Sequence, residues 1–477
     1  MPSQLEITYH FFLQIVVVLL TYRLLWPVLR RLAQVQVVAM MVAGFLLGPS
    51  VLGWLWPAGQ RWLFPTKLTL GAETFTHPNL TVIYVVGQLG LVLYMFLVGA
   101  SFKLDILTAH WRQAGVTSAA GIGVPLILGG ILGAWMVSRG GYFTDKVMSW
   151  QGGLFVAAAV AITAFPMLAW IVYDSGLLNT RLGTVSLSCA AFDDACSWVL
   201  LATVVATAKG SLFGAVLAVG GGLGYLLFMV YVGRPFLARL ETWSPRGGEA
   251  ERTGGLPIAH TSVVLLVVLA ASCFTDFVGI YSVFGAFVAG IVMPRGELLT
   301  QIRRHFEPLT AYLLIPAFFI YSGLNTQLRL ILDGPTLLMA VIVLVVSFTA
   351  KFGAVGLAAR WQGMSRLEAA SMGALANARG LMELILLNIG FEAGLISGKL
   401  YTILALMTIV TTLVATPLQR RFERRLWKTG LRFGADGEEP YGEDHPRNGH
   451  PAAEPVATRS EQNPPPMKGK AHVRFRA

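Results

Sequence analysis

The chain has 477 residues, of which 55% are hydrophobic and only 13% are charged, and its formal net charge is +11. A soluble domain carries roughly a quarter charged residues, so this composition excludes an ordinary soluble enzyme. The basic residues lie between apolar segments and in the C-terminal tail instead of forming one patch, so the positive charge does not indicate nucleic acid as a partner.

Apolar runs recur almost without interruption from His10 to Leu418. A helix needs about 20 such residues to cross roughly 30 Å of hydrocarbon, so the pattern predicts an all-α polytopic membrane protein with about thirteen transmembrane helices. The first run is too long for a signal peptide and lacks a basic leader and a cleavage site, which makes it the first span. The predicted extents are 10–29, 33–52, 80–100, 114–137, 150–173, 183–207, 212–232, 259–276, 280–293, 310–326, 336–358, 368–391 and 399–418.

The distribution of Lys and Arg predicts the orientation of these spans. Basic residues are concentrated in alternate connections and between Arg420 and Arg432, which places those connections in the cytoplasm. We expect residues 1–9 to be a short extracytoplasmic N-terminus, 10–420 a single transmembrane domain, and 421–477 a basic juxtamembrane segment with a disordered cytoplasmic tail, because the tail has too few apolar residues to fold. The expected location is the bacterial inner membrane, with the N-terminus outside.

Two pairs of segments share a weak internal similarity. Segments three and ten end in FLVGASFKLDIL (Phe96–Leu107) and FIYSGLNTQLRLI (Phe319–Ile331), on opposite sides of the membrane. Segments two and nine close on GFLLGP (Gly44–Pro49) and GIVMP (Gly290–Pro294), again in opposite orientations. Inverted repeats of this kind are typical of transporters, with the substrate site near mid-membrane, although Gly-rich and Leu-rich segments also resemble one another by chance.

Segment six contains two adjacent aspartates, Asp193 and Asp194, near the predicted centre of the bilayer. An aspartate there costs at least ~2.5 to 3.5 kcal/mol, so both need a polar cavity or a partner. Neighbouring helical residues point about 100° apart, so the two carboxylates are expected to have different functions and not to share one proton. Ion binding is the favoured interpretation, and a purely structural ion pair is the alternative for one of them.

Lys351 in segment eleven lies nine residues before Arg360, roughly 13 Å from the basic end of its helix. A buried ammonium needs a counter-ion, and the paired aspartates are the nearest intramembrane candidates in number. A Lys–Asp pair that is broken by proton or cation binding would link charge to conformation. The alternative is that Lys351 extends to the cytoplasmic headgroups.

Segments five and twelve contain residues that interrupt a helix. Pro166 follows Thr163 in the middle of segment five, where proline removes one backbone hydrogen bond and obstructs another, so the span is either broken or kinked. Segment twelve carries Asn377, Arg379 and Glu383. Broken helices expose carbonyls and dipole ends that coordinate ions. Arg379 and Glu383, at positions i and i+4, form either an ion pair that holds the fold or a direct ion contact.

Six ordered motifs resemble the second branch of the monovalent cation:proton antiporters, the cation/H⁺ exchanger group, over about residues 10–420. They are GFLLGPSVLG (Gly44–Gly53), ITAFPMLAWI (Ile162–Ile171), CAAFDDACSWVLLA (Cys189–Ala202), GAFVAGIVMP (Gly285–Pro294), PAFFIYSGLNTQL (Pro316–Leu328) and NARGLMELILLNIG (Asn377–Gly390).

The resemblance implies a thirteen-helix fold of inverted repeats, a homodimer, and a core in which segments five and twelve unwind and cross. It implies that Asp194 is the obligatory ion-binding carboxylate and that Thr163 contributes to the crossing. Lys351 falls where electrogenic members of the superfamily carry a basic residue that pairs with the first acidic position. That position is often Asn in this group but is Asp193 here, which favours an electrogenic exchange of two protons.

The sequence therefore predicts a secondary active antiporter, not an enzyme, that exchanges Na⁺ or K⁺ for protons in a lipid bilayer. Protons and monovalent cations would compete at Asp194 and Asp193. The eight histidines and three cysteines show no metal-ligand spacing, so no cofactor and no metal other than the transported cation is expected. The alternatives are a gated K⁺ efflux channel on the same scaffold, an organic-solute transporter and, least favoured, an intramembrane aspartyl protease, which needs its two aspartates on different helices.

Overall fold

A computed structural model of the chain describes residues 3–32, 34, 36–65, 67–70, 73–101, 111–175, 177, 180–208, 212–242, 258–279 and 281–428. Within these ranges the chain is almost entirely helical. The predicted disordered tail lies outside the described residues, and residues 421–428 of the basic juxtamembrane segment continue the last helix.

The first half of the chain begins with a capped helix. The Ser3 hydroxyl accepts a hydrogen bond from the Glu6 amide, and the Glu6 carboxylate accepts one from the Ser3 amide, so two exposed donors of the first turn are satisfied. The elements that follow are α1 (Gln4–Arg31), α2 (Gln36–Leu47), α3 (Leu52–Leu55), α4 (Pro57–Leu63), β1 (Lys67–Leu70), β2 (Glu73–Thr76), α5 (Pro78–Ser101), α6 (Trp111–Arg139), α7 (Ser149–Ala161), α8 (Phe165–Asp174) and α9 (Arg181–Ala208).

The second half contains two π-helical turns, Met229–Gly233 and Thr310–Leu314, each continuous with the helices on either side. A 3₁₀ turn (Leu328–Ile331) precedes Asp333, which caps the N-terminus of the long helix Gly334–Trp361. The helices are α10 (Leu212–Phe228), α11 (Arg234–Thr242), α12 (Ile258–Val278), α13 (Ser282–Val292), α14 (Glu297–Leu309), α15 (Ile315–Leu324), α16 (Gly334–Trp361), α17 (Arg366–Leu375), α18 (Leu381–Glu392) and α19 (Gly398–Lys428).

Each predicted span overlaps at least one of these helices, and the all-helical membrane fold is confirmed. Ten helical stretches among the described residues are long and apolar enough to cross a membrane, so the number thirteen is not established by length and hydropathy. The connection after α4 differs from a simple loop, because β1 and β2 pair as an antiparallel hairpin. The tenth predicted span also begins earlier than expected, since helix extends back from Thr310 to Glu297.

The helices pack in two groups. In the scaffold group, α5 lies against α13 and α15, α15 also packs on α2, and α1 and α12 complete the group. In the site group, α6 packs on α7, α9 and α16, and α17 lies between α16 and α19. The site group also includes α8 and α18, so it contains both of the interrupted spans.

Two helices of the scaffold group make backbone contact through glycine. A methyl group added at Gly323 of α15 would overlap the Gly44 carbonyl oxygen of α2, and one added at Gly44 would overlap the Phe319 carbonyl. Small residues allow this close approach, which maximises van der Waals contact where lipid supplies no hydrophobic driving force.

Gly323→Ala is therefore expected to destabilise the protein by about 1–3 kcal/mol, because α2 and α15 must separate to admit the methyl group. The measurement is the apparent melting temperature of the purified protein. Gly115→Ala is the control, because a methyl group at Gly115 in α6 would meet no atom within 4 Å. A melting temperature of Gly323→Ala equal to that of the control would show that α2 and α15 have room for the added methyl group.

Candidate ion-binding site

Residues 162–164 interrupt the fifth predicted span between α7 and α8. Ile162 has extended backbone angles (φ −64°, ψ 133°) and ends α7. Pro166 lies in the first turn of α8, where its missing N–H removes no hydrogen bond and its fixed φ suits a helix start. Pro166 therefore begins a second helix, so the span is broken and not merely kinked.

The twelfth predicted span is broken between α17 and α18, and the two breaks meet. The Ala164 amide donates a hydrogen bond to the Ala378 carbonyl oxygen at 3.1 Å. The Thr163 hydroxyl lies 3.4 Å from the Ala376 carbonyl oxygen. Each interrupted chain thus satisfies backbone groups of the other, which is what allows non-helical backbone at membrane depth.

Two buried cations cover the C-terminal end of α7. The last carbonyls of a helix lack intrahelical donors and carry partial negative charge. Arg379 donates from its two terminal nitrogens to the carbonyl oxygens of Ala159 and Val160, both at 2.6 Å, and Lys351 Nζ donates to the carbonyl oxygen of Ala161. The break in segment five therefore creates the acceptors that hold both basic side chains.

Asp193 is the counter-ion of Lys351. Lys351 Nζ lies 3.0 Å from Asp193 Oδ2, and both side chains are buried. The Thr163 hydroxyl donates to the same oxygen at 2.6 Å, and the Ser118 hydroxyl donates to Oδ1 at 2.5 Å. Lys351 therefore points into the protein and does not extend to the headgroups, and the carboxylate charge is balanced by one cation and two hydroxyls.

Asp194 has a very different environment, although it is the next residue along α9. The Phe165 amide at the N-terminal end of α8 lies 3.5 Å from Asp194 Oδ1, which is a long hydrogen bond. Asp194 Oδ2 is fully buried and has no hydrogen-bond partner among the described residues. The positive end of α8 thus faces this carboxylate, but no cationic side chain pairs with it in the described part of the chain.

Arg379 and Glu383 form the second buried ion pair, with 3.3 Å between Arg379 Nη1 and Glu383 Oε2. Arg379 also donates to the Ser347 hydroxyl at 2.6 Å. With two carbonyls, a hydroxyl and a carboxylate as acceptors, the guanidinium is held in one position. This geometry favours the interpretation of the pair as a structural contact that fixes the end of α7.

Asn377 lies in the second break, but its side chain forms no hydrogen bond with either aspartate. Its Nδ2 donates to the Gly373 carbonyl oxygen at 3.0 Å, which extends α17 by one local bond. Its Oδ1 is buried and has no hydrogen-bond partner among the described residues. Pro166 likewise contributes backbone geometry only.

Three polar residues of this region were not predicted from the sequence. Ser118 donates a hydrogen bond to Asp193, and Ser347 accepts one from Arg379. Thr412 of α19 both accepts from the Arg379 amide and donates to the Arg379 carbonyl, at 3.1 and 3.0 Å. Ser347 lies one helical turn before Lys351, so its spacing was a usable signal. Ser118 and Thr412 resemble the many hydroxyl residues that bond their own helix.

Interrupted helices that cross beside buried carboxylates are typical of secondary transporters. The comparison with protein families specifies the class further. The sequence pattern of the family described as sodium/hydrogen exchanger, transmembrane, matches residues 15–420. The chain belongs to this family, and the resemblance to the monovalent cation:proton antiporters is confirmed.

Individual relatives agree with this assignment. The Na⁺/H⁺ antiporter NhaS4 of Synechocystis is 35% identical over 406 residues, which cover 85% of this chain and 95% of that protein. Cation/H⁺ antiporter 17 of Arabidopsis thaliana is 35% identical over 413 residues, and the K⁺/H⁺ antiporter 1 of Saccharomyces cerevisiae is 27% identical over 435 residues. The matched part spans about half the length of these last two proteins, 47% of each.

A solved structure shows the same fold at low sequence identity. The sodium proton antiporter MjNhaP1 from Methanocaldococcus jannaschii superposes with a TM-score of 0.56 at 13% identity, covering 90% of this chain and 99% of that one.

Proposed function

We propose that this protein exchanges a monovalent cation for protons by alternating access, and that Asp194 is the carboxylate for which the two compete. The observation that carries the proposal is the contrast between the adjacent aspartates. Asp193 is balanced by Lys351, whereas Asp194 has a buried oxygen without a hydrogen-bond partner among the described residues.

The charges around the crossing support a monovalent ligand. Asp193 pairs with Lys351, and Glu383 pairs with Arg379, so each of these pairs is neutral when ionised. Asp194 then leaves one negative charge at a fully buried position. One proton or one monovalent cation neutralises this charge, whereas a divalent cation would leave an uncompensated positive charge.

The second part of the proposal concerns Asp193, Lys351 and Thr163. We propose that Asp193 alternates between the ion pair with Lys351 and a protonated state, and that Thr163 contributes an oxygen to the ion site when this pair opens. Removing Lys351 from Asp193 leaves a buried carboxylate with two hydroxyl donors but without its cation, so a proton or the transported ion would replace the lost positive charge. Each cycle would then move two protons against one cation.

Alternating access requires one part of the protein to move against another. The site group carries both breaks and both aspartates, and the scaffold group is held by close glycine contacts. We propose that the site group moves and that the scaffold group forms a homodimer in the bacterial inner membrane. The N-terminus would be outside, 10–420 the transport domain, and the segment from 421 onward cytoplasmic.

The experiment that tests the function is exchange in proteoliposomes loaded at acidic pH. Addition of Na⁺ or K⁺ outside is expected to alkalinise the lumen, and the apparent KM for the cation is expected to rise as the pH falls, since both ligands use one site. A gated channel would instead pass the cation down its gradient without moving protons. Cation flux without alkalinisation would therefore overturn the proposal, and the assay with Na⁺, K⁺, Li⁺ and Rb⁺ identifies the cation.

A further inference from the structure

A pocket lined by arginines lies between the C-terminal ends of α1 and α19. Its volume is about 460 Å³. One wall is the last turn of α1, and the other is the final part of α19. The lining residues are Arg31, Leu32, Pro417, Arg420, Arg421, Arg424 and Arg425.

The spacing of these residues explains why they converge. Positions 417, 420, 421, 424 and 425 recur at three- and four-residue intervals, so they occupy one face of α19. Glu423 lies between them in sequence, but its carboxylate accepts a hydrogen bond from Gln419 at 3.1 Å and does not line the pocket. The pocket wall therefore carries five guanidinium groups and, among the residues described, no carboxylate.

A stripe of exposed apolar side chains runs along α1 to the same pocket. Leu20, Leu24, Val28 and Leu32 follow one another at four-residue intervals, and each is between 55% and 67% exposed. Leu32 belongs to both the stripe and the pocket wall. The exposed stripe is a surface that an acyl chain can contact, and the arginines lie where the apolar spans end.

From this arrangement we infer a binding site for an anionic phospholipid. Guanidinium groups match the geometry of phosphate oxygens with paired N–H donors. Clusters of four to eight basic residues at the end of a transmembrane helix are typical of recognition of anionic headgroups. The phosphate would lie among the arginines, and one acyl chain would pack along the stripe of α1. A soluble anion would contact only the arginines, so the apolar stripe beside them favours a phospholipid as the ligand.

The bound lipid would join the two helix groups at one membrane face. Arg31 belongs to α1 of the scaffold group, whereas the other four arginines belong to α19 of the site group. This inference does not depend on which ion the protein transports.

The test is native mass spectrometry of the full-length protein with phosphatidylglycerol, with phosphatidylcholine and with inorganic phosphate. We expect selective retention of phosphatidylglycerol, and a loss of affinity of about fivefold for each arginine removed in Arg421→Gln/Arg424→Gln. Arg61→Gln/Arg329→Gln removes the same charge from exposed positions outside the pocket and is expected to retain lipid as the unaltered protein does.

Two further measurements separate the lipid from other ligands. Leu24→Ser/Val28→Ser is expected to weaken phosphatidylglycerol retention without changing phosphate binding. Equal lipid retention by the pocket variant and its control would overturn the inference, as would displacement of phosphatidylglycerol by millimolar phosphate. A stripe variant that changes the number of protein copies per particle, with lipid retention unaltered, would assign the stripe to a second copy of the chain and also overturn it.

Discussion

Asp194→Asn is expected to abolish cation/proton exchange while the protein still folds. The substitution preserves the shape of the side chain and an acceptor for the Phe165 amide, but it removes the single unbalanced negative charge of the site. A carboxylate about 3 Å from a cation contributes roughly 5 kcal/mol at an effective dielectric constant of about 20. Losing it weakens cation binding by roughly several thousand-fold and also removes the competing proton.

The measurement is the initial rate of lumenal alkalinisation after addition of the cation. Asp145→Asn is the matched control, because Asp145 is exposed in the connection between α6 and α7. The control is expected to transport at the rate of the unaltered protein, and Asp194→Glu is expected to retain part of the activity with a changed KM. Full exchange by Asp194→Asn, with a melting temperature equal to that of the control, would contradict the assignment of the ion site.

The sequence was sufficient to predict a helical membrane fold and to identify the residues that are costly to bury. Apolar runs of about 20 residues match the thickness of the bilayer, so the fold class followed from their lengths. The two aspartates and Lys351 were identifiable because a charged group in hydrocarbon needs a partner. The structure places Lys351 3.0 Å from Asp193, although the two residues are 158 positions apart in sequence.

The tertiary contacts of the site could not be derived in the same way. Arg379 was expected to interact with Glu383 or with the ion, but four of its hydrogen bonds involve Ala159, Val160, Ser347 and Thr412 on other helices. Backbone carbonyls are present at every position and carry no sequence signal. Only the crossing of two broken helices exposes them, and local patterns do not encode which breaks will meet.

The same limit applies to helix ends and short connections. The hairpin of β1 and β2 lies between two predicted spans, where the apolar pattern indicates only a connection. The π-helical turn at Thr310–Leu314 joins the amphipathic α14 to α15, and the apolar pattern alone begins only at this turn. In both places the sequence signal was the edge of an apolar run, which is not the same as the edge of a helix.

Lys351→Ala is expected to destabilise the protein strongly, and Asp193→Asn added to it is expected to restore much of the loss. Removing the ammonium leaves Asp193 as a buried carboxylate without its cation, which costs about 3–5 kcal/mol when a buried pair is broken. Neutralising both partners removes this penalty. The measurement is the melting temperature of both single variants, the double variant and Lys146→Ala, a control at an exposed position. Additive effects of the two substitutions would show that the pair has no mutual coupling.

The double variant also determines how many charges cross the membrane in each cycle. If Asp193 carries the second proton, the unaltered protein moves one net charge, and a potential of about 100 mV changes the driving force by about 2.3 kcal/mol. The double variant retains Asp194, so it should still exchange one cation for one proton, at a rate that no longer responds to an imposed potential. An unaltered protein that ignores the potential would rule out the two-proton cycle. A double variant that still responds to it would place the second proton on another group, because Asp193 and Lys351 would no longer be present to carry charge.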